Sequence, residues 1–153
     1  MTTRIDDVDR YITGTLDGVN PVSAWGETAY FYNPGLVLKR GTYFATIKQK
    51  DGDNDRASGL DRDGVWRLNI GLGKKAFLAM FKHQPARPAK GGVIEGPWDF
   101  TEIDRITPHP VYGWMGWIAV LNPGQETFET CKPLIATAHQ RAADGFGKRI
   151  RQS

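Results

Sequence analysis

The chain has 153 residues, 40% of them hydrophobic and 24% charged, which is typical of one globular domain. A formal net charge of +3 and a single cysteine, Cys131, exclude a disulfide scaffold and a strongly basic nucleic-acid-binding protein. The N-terminal residues have neither the basic nor the apolar region of a signal peptide, and no apolar run reaches the ~20 residues of a spanning helix. We therefore expect a cytoplasmic protein without membrane contact.

Three helices are predicted along the chain. Apolar residues recur three or four positions apart over residues 4–16, which predicts an amphipathic first helix. A second helix is predicted over residues 74–82 and a third over residues 126–144. Two glycines follow the third helix, so residues 145–153 are predicted to be a frayed basic tail.

Strand character appears in five short runs. They cover residues 22–25, 28–32, 42–48, 65–70 and 115–121. Because successive side chains of a strand point to opposite faces, the fourth run places its apolar residues on one face and the polar residues Arg67 and Asn69 on the other.

The order of these elements predicts the fold class. Short strands joined by tight turns, with helices before and after them, indicate one α+β domain over residues 1–153. Its antiparallel sheet should have about five strands, with the N- and C-terminal helices packed on one face. Simple alternation in the third run also predicts Tyr43 on the same face as Ala45, and Phe44 on the same face as Thr46.

The polar stretch 51–64 begins like a calcium-binding loop, with acids at its first, third and fifth positions. An EF-hand then needs glycine at the sixth position and glutamate at the twelfth, where this chain has Arg56 and Arg62. These cations would repel a metal ion, so we interpret the stretch as a solvated loop. The three histidines also lack metal-ligand spacing, and we predict no metal and no cofactor.

Catalytic motifs are not recognisable in the sequence. Asp99, Glu102 and Asp104 are acidic neighbours that would suit general acid–base work, but the same spacing is found in a capped helical turn. Cys131 falls in a helical pattern and is interpreted as a buried, inert thiol. We assign no catalytic residue, and whether the protein is an enzyme stays open.

The irregular stretch 83–113 contains five of the nine prolines. A structureless segment of this length inside a compact domain is usually functional. Its end is distinctive, because His109 stands between two prolines and is followed by Tyr112 and Trp114. A rigid loop of aromatic side chains presents a binding surface at low entropic cost. The alternative interpretation is that this segment plugs one end of the core.

Two functional hypotheses follow. The first is a non-catalytic binding module for a small ligand or a protein partner. Its predicted site residues are Arg67, Asn69, His109, Tyr112 and Trp114.

The second hypothesis is weak, sequence-independent binding of nucleic acid. Residues 65–100 carry six basic and two acidic groups, and residues 136–153 carry four and one. The predicted phosphate contacts are Lys74, Lys75, Lys148, Arg149 and Arg151. The sequence does not predict the oligomeric state.

Three segments carry a resemblance to known families. Residues 65–71, 108–114 and 117–123 resemble an uncharacterised bacterial domain-of-unknown-function family, with similarity extending over about residues 5–143. That resemblance implies no catalytic residues. The order of elements is also similar to the MmcQ/YjbR superfamily, which implies a CyaY-like α+β sandwich and, for some members, DNA binding. The long proline-rich segment departs from that pattern.

Overall fold

The computed structural model describes residues 3–152, and Met1, Thr2 and Ser153 lie outside the described residues. Its strands form one antiparallel sheet in the order β1-β2-β3-β4-β6-β5. The strands are β1 (Val19–Ala24), β2 (Glu27–Tyr32), β3 (Thr42–Lys48), β4 (Arg67–Gly71), β5 (Thr107–Pro108) and β6 (Trp117–Leu121). The predicted α+β class and antiparallel sheet are confirmed. The strand beyond the predicted five is the two-residue β5, which lies in the proline-rich segment.

Within residues 3–152, three α-helices complete the fold: α1 (Ile5–Thr15), α2 (Lys74–Phe81) and α3 (Gln125–Gln152). The predicted packing of the terminal helices on one face of the sheet is confirmed. The rings of Tyr11 and Phe128 meet edge to face at 5.8 Å, and the Tyr11 hydroxyl donates a hydrogen bond to the carbonyl of Lys132. These contacts fasten α1 to α3.

The hydrophobic core lies between these helices and the sheet. Leu68 pairs with Val120 and Ile70 pairs with Ile118 across β4 and β6, and all four side chains are buried. Burying each such side chain contributes about 1.5–3 kcal/mol. We call this side of the sheet the helix face and the opposite side the open face.

A β-bulge in β3 changes the predicted facing of its first residues. Tyr30 pairs with Ala45, whereas the next residue, Phe31, pairs with Tyr43, so Phe44 is an extra residue. Phe44 is buried on the helix face, where its ring contacts that of His139 in α3. The predicted facing of Tyr43 is therefore wrong, because the inserted residue reverses the alternation. Tyr43 belongs to the open face.

The C-terminal helix is longer than predicted. It continues to Gln152 through both glycines, so its predicted end at residue 144 is wrong. A glycine costs a helix only about 1 kcal/mol, which tertiary contacts offset here. Phe146 packs edge to face on Tyr32 at 5.2 Å, and Arg149 donates a hydrogen bond to the hydroxyl of Thr42.

Two irregular segments, 49–66 and 83–116, lie over part of the open face. The interpretation of the first as a solvated loop is wrong, since Ser58 and Leu60 within it are buried. Arg62 helps to order this segment, because its guanidinium donates hydrogen bonds to the carbonyls of Gly59 and Thr101. The second of these bonds joins the two segments. Arg62, interpreted from the sequence only as a charge that repels a metal ion, therefore stabilises the loop.

Candidate functional site

A cleft of about 480 Å³ opens on the open face, between the sheet and the two irregular segments. We call it the central cleft and divide its lining into a polar floor, an aromatic wall and a charged rim. The floor is formed by Thr46, Asn69 and His109. The floor residues come from β3, β4 and the loop after β5, so the sheet fixes the relative positions of the first two.

Arg67 lies directly beneath the floor with a side chain that is 0% exposed. Its Nε donates to Oδ1 of Asn69 at 2.7 Å, and Asn69 Nδ2 donates to the Thr46 hydroxyl at 2.9 Å. Arg67 and Asn69 occupy alternate positions of β4, and Thr46 of β3 pairs with Asn69. The alternation that was visible in the sequence therefore creates a buried polar row on the open face.

Asp55 supplies the counter-charge of Arg67. Both of its carboxylate oxygens accept hydrogen bonds from the guanidinium, and Ser58 accepts a further one at 2.9 Å. Burial alone would raise the pKa of Asp55, but the hydrogen bonds and the charge of Arg67 outweigh it and lower that pKa below its ordinary value. Asp55 is therefore ionised at neutral pH, and its segment is fastened to the floor.

His109 is held by its own loop. Its Nδ1 accepts hydrogen bonds from the backbone N–H groups of Val111 and Tyr112, at 3.1 and 3.0 Å. The side chain is 4% exposed. Burial, followed by the positive charge of Arg67, lowers the pKa of His109 to about 3. The imidazole is therefore neutral at physiological pH.

The contacts of His109 also determine its tautomer. A neutral imidazole has one acceptor nitrogen, and the two backbone N–H groups use it at Nδ1. These contacts favour a proton on Nε2, which faces Arg67 Nη2 at 3.2 Å and Asp55 Oδ2 at 3.7 Å beneath the floor. Because Arg67 has only donors, its contact with Nε2 is not a hydrogen bond in this tautomer. His109 thus has no free lone pair with which to accept a proton from a ligand.

Four aromatic residues form the wall of the central cleft. They are Phe31, Tyr43, Tyr112 and Trp117. The rings of Tyr43 and Trp117 lie 5.4 Å apart at 34°, and Tyr112 packs on the His109 ring at 5.1 Å. Tyr43 and Tyr112 are about half exposed, so their faces are available to a ligand. The bulge at Phe44 is what brings Tyr43 into this wall.

Charged side chains surround the opening. Glu27 and Lys48 are cross-strand neighbours on β2 and β3, and Asp53 comes from the loop that carries Asp55. Since Arg67 already balances Asp55, the rim presents two acids and one base. This rim favours neutral or cationic groups in the central cleft over anionic ones.

The structure brings together most of the predicted binding residues. Asn69, His109 and Tyr112 line the central cleft, and from below Arg67 donates a hydrogen bond to Asn69 and contacts His109. Trp114 does not line it. The chain turns at Gly113–Met115, and Trp114 instead lines an adjacent groove with the guanidinium of Arg87 4.9 Å from its ring centroid. Tyr43, Thr46, Asp55 and Trp117 were not predicted.

The residues predicted to contact nucleic acid lie elsewhere. Lys74 and Lys75 are exposed at the start of α2, whereas Lys148, Arg149 and Arg151 lie at the end of α3. Arg141, which was not predicted, packs against Gly73 next to the first pair. Arg141 and Lys148 also line one shallow groove. Arg141 therefore links the two basic groups along one side of the molecule.

The acidic candidates for catalysis have structural contacts. Asp99 accepts hydrogen bonds from the backbone and hydroxyl of Thr101, and Asp104 accepts one from the backbone of Gly124. Neither they nor Glu102 line the central cleft. Cys131 is fully buried, and burial raises the pKa of its thiol to about 12. These groups stabilise turns and core packing.

Among residues 3–152, no group of three or more histidine, cysteine or acidic side chains is placed to hold a metal ion. None of the helices in this range has both the length and the hydropathy needed to cross a bilayer.

Fold and cleft together define a class: an α+β domain whose antiparallel sheet is covered by two helices on one face and forms a polar, aromatic-walled cleft on the other. The chain belongs to a family of unknown function, DUF6194, whose model matches residues 1–151. No curated protein and no solved structure matches it. The predicted resemblance to a family of unknown function is confirmed, and the resemblance to the MmcQ/YjbR superfamily stays a hypothesis.

Proposed function

We propose that this protein is a non-catalytic binding module whose central cleft takes up a small planar ligand with hydrogen-bonding edges. One observation carries the proposal: an aromatic wall stands beside a floor of polar groups that are already buried and oriented. The volume of about 480 Å³ is within the range of small-molecule sites, about 300–1,000 Å³. A pre-organised site binds with a smaller loss of entropy.

The floor supplies hydrogen-bond donors to such a ligand. Asn69 Nδ2 has two hydrogens, and Thr46 accepts one of them. Thr46 therefore keeps its own hydroxyl hydrogen to donate. A carbonyl oxygen at the floor can accept two hydrogen bonds, and would satisfy the Thr46 hydroxyl and the second hydrogen of Asn69 Nδ2. Buried donors that lack acceptors cost about 1–3 kcal/mol each, so a ligand that accepts from them gains affinity.

The floor is poorly suited to acid–base catalysis. His109 is neutral, and its only lone pair on nitrogen is used by two backbone amides. Asp55 is engaged at both oxygens by Arg67. A general base needs a free lone pair within reach of the substrate. These two residues position the floor and do not exchange protons with a bound molecule.

The proposal is tested by ligand-observed NMR with adenosine, guanosine, indole and quinoline. Tyr43→Ala removes one of the two half-exposed rings of the aromatic wall, and Trp25→Ala removes an exposed ring outside the cleft. Stacking of a base on an aromatic ring contributes about 1–3 kcal/mol. At least one compound should bind saturably and lose about tenfold or more in affinity in Tyr43→Ala, with no change in Trp25→Ala. An affinity that does not change in Tyr43→Ala would contradict the proposal. So would the absence of saturable binding by all four compounds.

The alternative function is weak, sequence-independent binding of nucleic acid. The position of Arg141 favours it, because this side chain connects Lys74 and Lys75 with the basic end of α3. Phosphate contacts of exposed lysine and arginine side chains depend steeply on salt. This surface is separate from the central cleft, so the two functions are testable independently.

A further inference from the structure

A second groove adjoins the central cleft. It has a volume of about 310 Å³ and shares Asn54 and Tyr112 with the cleft. Its other walls come from the proline-rich segment and include Arg87, Lys90 and Trp114. We call it the side groove. Because Tyr112 lines both spaces, a ligand that stacks on this ring has access to the side groove.

The two spaces differ in charge. The rim of the central cleft has the acids Glu27 and Asp53 with one lysine. In the described part of the chain, the charged residues that line the side groove are both cations, Arg87 and Lys90. Among residues 3–152, no carboxylate forms an ion pair with either of these two cations. Their charges are therefore free to pair with an anion that enters the side groove.

We infer that the ligand is a planar ring with an anionic arm, a phosphate or a carboxylate, at one end. The inference rests on the proposed function. The ring occupies the central cleft, and the arm crosses Tyr112 to reach Arg87 and Lys90. The planar fork of a guanidinium matches both phosphate and carboxylate oxygens, and stacking of Arg87 on Trp114 holds this fork in place.

The rim excludes the opposite orientation. A phosphate in the central cleft would face Glu27 and Asp53, and repulsion between like charges disfavours that orientation. Arg67, the buried cation below the floor, offers no compensation because Asp55 already engages it at both oxygens. The gradient of charge from the cleft to the side groove therefore fixes the direction of the ligand.

Matched pairs of probes isolate the contribution of the arm. Adenosine and adenosine 5′-monophosphate test a phosphate, and indole and indole-3-acetate test a carboxylate. Each is titrated by calorimetry into the wild-type protein and into Arg87→Gln/Lys90→Gln. The control, Lys74→Gln/Lys75→Gln, removes the same charge from exposed residues of α2 that line neither space.

In the wild type, the anionic member of at least one pair should bind about tenfold more tightly than its neutral partner, which corresponds to about 1.4 kcal/mol. The pair that shows the gap identifies the arm as phosphate or carboxylate. The gap should disappear in Arg87→Gln/Lys90→Gln, persist in the control variant and shrink as salt is added. Equal affinities within both pairs, or a gap that survives Arg87→Gln/Lys90→Gln, would overturn this inference and leave the proposed function standing. Failure of all four probes to bind would overturn this inference, and the proposed function falls as well if guanosine and quinoline also fail to bind.

Discussion

The two faces of the sheet are formed by the same strands but differ in the polarity of their buried side chains. On the helix face, Leu68 and Ile70 are buried among apolar side chains of α1, α3 and β6. On the open face, their neighbours Arg67 and Asn69 are equally buried but belong to a continuous polar network with Asp55 and His109.

This difference separates what holds the fold from what forms the cleft. Apolar burial is the dominant stabilising term in folding. A buried ion pair, in contrast, is often no more stabilising than apolar residues of the same volume. The polar network therefore stabilises the fold less than apolar side chains of the same volume could. We interpret it as the means of holding oriented donors at the floor of a binding site.

The largest expected effect concerns the helix face. Leu68→Ala should lower the free energy of unfolding by about 2–5 kcal/mol, because it leaves a cavity among side chains that are fully buried. Urea denaturation followed by circular dichroism measures it. Val22→Ala, at a half-exposed position of β1, should change stability by no more than about 0.5 kcal/mol. A Leu68→Ala protein of wild-type stability would contradict the claim that apolar packing on the helix face holds the fold.

The next effect concerns the ion pair of the open face. Asp55→Asn leaves Arg67 buried without a counter-charge and should cost about 3 kcal/mol, the lower end of the usual range because Asp55 is 16% exposed. The control Asp53→Asn, on the same segment, should be nearly neutral.

A double-mutant cycle refines this prediction. Adding Arg67→Met to Asp55→Asn removes the uncompensated charge, so the double variant should regain part of the lost stability. If the two substitutions were simply additive, the ion pair would not be the reason for the loss.

Much of the fold was predictable because alternation and turn chemistry act locally. The run 65–70 shows its two faces in the order of its residues, and both terminal helices show an apolar stripe. The bulge at Phe44 was not predictable, since nothing in the run 42–48 signals an extra residue. The continuation of α3 through two glycines depends on Tyr32, a contact that is distant in sequence.

The candidate site was predictable only where one segment supplied the signal. Arg67 and Asn69 were found because they interrupt an apolar strand, and His109 because prolines flank it. Asp55 was missed because it lies in a polar stretch that resembles a solvated loop. A usable signal existed, however: a buried arginine requires a carboxylate, and the acids at 51–55 are close in sequence. Trp114 lines the side groove and not the central cleft, because the chain turns after Tyr112, and nothing in the sequence signals that turn.

The dependence of stability on pH gives a third, smaller effect. The folded protein keeps His109 neutral, with its pKa lowered from 6.5 to about 3, while the unfolded chain is protonated below pH 6.5. Stability should therefore decrease as pH falls from 6.5 towards 3. Between about pH 7.5 and about pH 5 the loss should be about 2 kcal/mol, at about 1.4 kcal/mol per pH unit. Asp55 adds nothing here, because its lowered pKa affects stability only in more acidic solution.

Substitution of His109 isolates this effect. His109→Asn keeps an acceptor near the position of Nδ1 for the two backbone amides but removes the titration. Unfolding measured at the two pH values should then give nearly equal free energies. His83→Asn, at an exposed position, should behave like the wild type. An unchanged pH dependence in His109→Asn would show that another group is responsible.

The smallest expected effect concerns nucleic acid. Gel-shift titrations should show weak binding at about 50 mM salt and none at about 200 mM, because the contacts are to phosphates. Lys74→Gln/Lys75→Gln should weaken it further, whereas Tyr43→Ala should not. Tight binding that survives the higher salt would contradict binding through phosphate contacts, and binding that requires Tyr43 would assign nucleic acid to the central cleft.

The central claim is that the open face binds the ligand, and chemical-shift mapping tests it most directly. The side-chain amide of Asn69 lies at the floor of the cleft and gives its own resonances in a ¹⁵N–¹H spectrum. On titration with adenosine or indole, the account predicts saturable shifts of this amide and of the backbone amides of Thr46 and Tyr112. Residues of α1 and α3 should be unaffected. Shifts confined to the helices, with the Asn69 amide unchanged at saturation, would contradict the account.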